Sequence, residues 1–161
     1  MVTIDELLVK LVDSLDRDIE LLATLRYRFI VLGALAGADQ SPSLPTAVRE
    51  VELSFEAVRI ADLVRASLTA QIAEQLELEA TPRLDDLASR TEGAWSEILL
   101  ERRHSLIFAV TSIQSLANTL KVAMGRRVSL AEDALAFLRG DRASTYHQSS
   151  SRGGLLVEGT I

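Results

Sequence analysis

The chain has 161 residues, of which 48% are apolar but only 4% aromatic, and it carries eight glycines, three prolines and no cysteine. A formal charge of −6 lacks the cationic footprint that supplies most nucleic-acid affinity, which disfavours a DNA- or RNA-binding role. The missing cysteine excludes disulfides, thiolate metal sites and a cysteine nucleophile, and it fits a reducing compartment.

So few turn residues and aromatics do not suit many short strands; the expected class is all-α, one domain of long helices. No apolar run reaches the roughly 18 residues of a spanning helix. Asp5, Glu6 and Asp13 stand where a signal peptide needs basic-then-apolar order. The expectation is a soluble cytoplasmic protein with no stable membrane insertion.

The first helical pattern opens at Thr3, which with Glu6 makes an S/T-x-x-E capping box. Apolar residues then recur in two heptad rows, Leu8, Leu15, Leu22 and Phe29 in one, Ile4, Leu11, Leu25 and Leu32 in the other. Asp18 interrupts the second row, Val12 and Ile19 widen the stripe, and the pattern stops within residues 33–37. Residues 37–45 (GADQSPSLP) hold two prolines and read as a loop.

The second helix is expected to begin near Thr46, capped by its side chain. Its stripe passes through Val48, Val51, Phe55 and Val58, then shifts phase to Ala61, Val64, Leu68, Ile72 and Leu76, a change resembling a coiled-coil stutter. Residues 77–86, with Thr81 and Pro82, form the second break, and Asp85 and Asp86 suit a helix start.

The third pattern is the longest. Trp95, Leu99, Leu106, Ala109, Ile113, Leu116, Leu120 and Ala123 fall on two rows, with Val110, Ala117 and Met124 alongside and Arg102 in the inner row. Beyond Gly125 the apolar spacing resumes through Leu130, Ala134, Leu135 and Leu138. Two continuations fit: one helix to about Arg139, straight or kinked near Gly125, or a break there with Ser129 and Glu132 capping a short fourth helix. The expected architecture is an elongated antiparallel bundle of three long helices over residues 1–139, with a flexible tail over 140–161 whose Gly-, Ser- and Arg-rich composition builds no core of its own.

Catalytic signals are sparse. Glu101 and His104 have the i, i+3 spacing used in di-iron carboxylate bundles, but the motif occurs once and is flanked by the repelling Arg102 and Arg103. A homodimer would be needed to supply a second copy. No Gly-rich phosphate loop lies between a strand and a helix, and no serine has a histidine and an acid at a recognised spacing. The reading is therefore non-enzymatic, with no cofactor and no metal. Helix surface is what remains: Leu130, Leu135, Phe137 and Leu138 lie beyond the reach of shorter antiparallel neighbours, where they either meet a partner helix or close the bundle's own end. Self-association through the same stripe stays open.

In the order of its segments the chain resembles the FlgN-type flagellar export chaperones, over nearly its whole length. The resemblance rests on IELLATLRYRFIVLGAL, then TAVREVELSFEAVRIADLVRASLTAQIAEQLEL, then TPRLDDLA, then WSEILLERRHSLIFAVTSIQSLANTLKVAMGRRVSLAEDALAFL. Leu116-Ala117-Asn118 resembles the family's Leu-Ala-x-x-Asn element at altered spacing. Thr145-Tyr146 resembles the tail element that usually continues Asp-Ala-Arg-Gly, for which Arg152-Gly153 is a displaced counterpart. The resemblance implies a chaperone that holds hook-associated, hook–filament junction proteins in the cytoplasm and delivers them to the type III export apparatus. It also implies that binding uses the end of the long helix and the tail. The expected partner-binding residues are Leu130, Ala134, Leu135, Phe137, Leu138 and Tyr146.

Overall fold

Thr3 begins the first helix as its sequence reads: its Oγ1 accepts from the Glu6 amide at 3.2 Å and its own amide donates to Glu6 Oε2 at 3.0 Å. The computed structural model describes residues 1–38, 41–79 and 81–124, and all the secondary structure among them is α-helical. Helix α1 spans Ile4–Ala36, α2 Leu44–Gln75, α3 Leu84–Arg90 and α4 Ala94–Met124. None of these helices is long and apolar enough to cross a membrane.

The two heptad rows of α1 are buried: Leu8, Leu11, Leu15, Leu22, Leu25, Phe29 and Leu32 all lie in the core. On α4, Leu99, Leu106, Ile113 and Leu120 form the deep row, with Trp95 and Leu116 half-buried beside it. Helix α1 packs closely against both α2 and α4, and α3 packs on α4. Cross-helix bonds fix the directions. Arg28 Nη1 donates to the Glu50 carbonyl at 3.1 Å and Gln75 Nε2 to the Val2 carbonyl at 3.1 Å, so α2 runs opposite to α1. Trp95 Nε1 donates to Asp5 Oδ1 at 3.0 Å, Arg102 Nε to Asp16 Oδ1 at 2.6 Å and Arg26 Nε to Ser112 Oγ at 2.7 Å, so α4 runs in the same direction as α1. Each fully buried leucine in this core contributes about 1.5–3 kcal/mol.

Two features of α2 differ from expectation. It starts at Leu44 rather than near Thr46, and its cap residue Ser43 makes no side-chain cap bond. Pro45 lies in the first turn, where the missing N–H would lack a helical acceptor anyway, so proline begins this helix instead of ending the loop. The expected phase shift is also absent. The buried row runs Val51, Val58, Arg65, Ile72 at unbroken seven-residue intervals, with Ser54 and Thr69 alongside, while Val64 faces outward. Polar residues on the inner row conceal the heptad from a hydropathy reading.

The break over 77–86 is real at both ends but not throughout. Glu77, with φ 53°, turns the chain out of α2, and the amides of Leu78 and Glu77 donate to the carbonyls of Ala73 at 2.9 Å and Glu74 at 3.4 Å. That is a Schellman closure, with Leu78 half-buried against the core. The seven-residue α3 follows, its start held by Asp86 Oδ2 accepting from the Arg83 amide at 2.9 Å. Leu84, Leu87 and Ala88 bury it, and Arg103 on α4 reaches Asp85 Oδ1 at 3.3 Å. Two turns are too short for apolar periodicity to announce.

Candidate interaction surface

The expected partner-binding residues Leu130, Ala134, Leu135, Phe137, Leu138 and Tyr146 lie outside the described residues, as do Gly125 and residues 140–161. What the described part presents is apolar surface on the bundle's flanks. Between α1 and α4 runs a groove whose α1 wall is Ile19, Ala23, Arg26, Ile30, Gly33 and Gly37. These are spaced alternately four and three residues apart, so they share one line along the helix. The α4 wall carries Ser105, Phe108, Leu116 and Thr119.

Two hollows open along it, of about 330 Å³ beside Phe108 and about 310 Å³ beside Gly33. The Arg26–Ser112 bond crosses from α1 to α4 between them. Phe108 is 72% exposed and Ile30 is exposed as well. At the second hollow there is room beside Gly33, since a Cβ there would meet only Leu120 Cδ1, at 4.0 Å. The lining is mostly aliphatic and aromatic with small residues between and Arg26 and His104 among them, so a chain laid along it would bury mainly apolar area.

A second apolar face lies on α2. Leu53, Ile60 and Val64 are exposed in one line with half-buried Ala57, at the spacing of a helix-pairing seam, and Leu63 beside them is 73% exposed. Sequence reasoning placed Val64 in the core and left Leu53, Ile60 and Leu63 unread. The signal was present, since residues 53, 57, 60 and 64 form a second row at four- and three-residue steps.

The polar candidates are engaged differently. Glu101 is exposed and accepts from Arg102 Nη1 at 3.0 Å, while His104 edges the groove beside Phe108. Among the described residues, no group of three or more His, Cys, Asp or Glu side chains converges as a metal site would require. Arg102 bridges α4 to α1 through Asp16, and that hydrogen bond, outweighing the opposing effect of burial, holds its guanidinium above the ordinary value. A cation with a raised folded pKa contributes fully below its unfolded value, so Arg102 stays charged on this bridge throughout the neutral range.

In the core, Asp18 and Arg65 pair at 3.4 Å between Oδ2 and Nε, with Asp62 also on the guanidinium. The sequence marked Asp18 only as an interruption and did not find its partner.

Known proteins add no identity. No family model, no curated protein and no solved structure matches this chain.

Proposed function

We propose that this chain is a flagellar export chaperone of the FlgN type. In this reading it is an elongated antiparallel bundle of three long helices, the third continuing past Gly125, with a tail over residues 140–161. It binds hook-associated proteins in the cytoplasm and delivers them to the export apparatus without catalysing a reaction. The order of leucine-rich segments supports the family, and one structural observation supports the mode of action. A core already filled by leucine leaves Ile30 and Phe108 outside it, along the α1–α4 groove.

An amphipathic helix laid on such a surface gains about 25 cal/mol per Å² of apolar area before ordering costs are subtracted. Ordering a polar tail on contact offsets part of that gain and keeps the complex releasable.

Co-purification with a hook-associated protein, compared between the parent chain and the Leu135→Asp/Leu138→Asp double variant, tests the reading. Capture is expected from the parent and lost in the variant with helicity nearly intact. Absence of capture by the parent refutes the secretion role, and loss of helicity in the variant places those leucines in the core.

A second reading, a self-associating helical adaptor with no secretion role, is favoured by the exposed Leu53–Ile60–Val64 line. Light scattering separates the two: a stable homo-oligomer that captures no hook-associated protein supports the second.

A further inference from the structure

The inner rows of α1 are nearly uniform, with buried leucines from Leu8 to Leu32 interrupted by Phe29 near one end and Asp18 in the middle. Such a row does not distinguish one alignment of a facing helix from another seven residues away, because the shift puts leucine where leucine was. The facing row of α2 repeats in the same way, Val51, Val58, Arg65, Ile72, and departs from aliphatic only at Arg65. The two departures face each other. Asp18 is 0% exposed and Arg65 3%, and Asp62, one turn before Arg65, completes the cluster.

We propose that the Asp18–Arg65 pair, backed by Asp62, is a register lock. It selects one alignment of α2 on α1 from several that the apolar rows alone would accept.

The selection arises from mismatch. A slip of seven residues either way sets Arg65 against Leu11 or Leu25 and Asp18 against Val58 or Ile72. The aliphatic residues lose little by the move. Asp62 travels with Arg65 on the same helix and continues to neutralise it, but Asp18 is parted from its cation. A buried charge parted from its partner costs far more than the intact pair contributes, so the slipped alignments are depopulated although the native pair adds little net stability. The lock therefore acts on specificity, and its removal should leave the helices folded.

The chain has no cysteine, so two introduced at Lys10 on α1 and Glu52 on α2, both exposed and separated by about 30 Å along the helix axes, place spin labels uniquely in the full-length protein and make their distance follow any slip along the axis. Electron–electron double resonance on the parent should give one narrow distance distribution. In the Asp18→Leu/Arg65→Met variant, helicity should persist and the urea midpoint should stay equal or rise. Its distance distribution should split, with a second population displaced by about 10 Å, the rise of seven helical residues.

A single narrow distance in the folded variant overturns the proposal, as does a split distribution in the parent. If this variant loses helicity, Asp18→Ala/Arg65→Ala takes the same reading. Loss of helicity in both overturns the lock, because the cluster would then supply stability rather than selectivity.

Discussion

Glu77→Gly should stabilise the protein, and the structure gives the size of the effect. Glu77 holds φ 53° at the end of α2, where the Cβ of an L residue crowds its own backbone at a cost of about 1–2 kcal/mol. The strain persists because the turn lets the Leu78 and Glu77 amides satisfy two carbonyls of the last turn and carries Leu78 onto the core. Glycine has no Cβ and relieves the crowding, but its freer unfolded chain returns about 0.4–1 kcal/mol. The Glu77 side chain is exposed, so no packing is lost.

The net gain should be about 0.5–1 kcal/mol, equivalent to a rise in Tm of about 1–4 °C for a chain of this size. Urea and thermal unfolding followed by circular dichroism measure it, with Glu77→Ala as the control expected within about 0.5 kcal/mol of the parent. A glycine variant no more stable than that alanine control would mean the chain leaves α2 by a path other than the left-handed turn.

Gly33→Ala should add up to about 1 kcal/mol of helix stability, since the new methyl meets Leu120 Cδ1 at ordinary contact distance; a loss in the urea midpoint would mean that the α1–α4 spacing is tighter than 4.0 Å implies. Ile72→Ala, at a fully buried position, should cost about 2–5 kcal/mol. Leu63→Ala, on the outer face of the same helix, should stay within about 0.5 kcal/mol of the parent, and the reverse ranking in denaturant unfolding would show that α2 presents its other face to α1.

The accuracy of the sequence reading followed how local each signal was. The Thr3–Glu6 box and the leucine rows of α1 depend on residues within a few turns of one another, and they stand in the structure where the sequence put them. The register of α2 does not. Hydropathy put Val64 on the inner stripe and left Arg65 unread, and the structure turns Val64 outward and Arg65 inward because Asp18 across the interface makes an inward guanidinium tolerable. The helix start signalled by Asp85 and Asp86 is the first turn of α3, but its separateness from α4 went unread for a related reason: Leu84 and Leu87 become core only because α4 lies beneath them. The expected partner surface at Leu130 to Leu138 lies outside the described residues, whereas the groove beside Phe108 exists only once α1 and α4 are side by side.

The amino-acid order alone thus determined that this protein is helical, where α1 begins and ends, and which faces of α1 and α4 are apolar, since those follow from backbone capping and a period repeated along one helix. Which way α2 turns, which charges go inside, and which apolar side chains stay exposed were decided only by packing. A side chain's environment is set by what faces it, and the residue facing Arg65 stands 47 positions earlier in the chain.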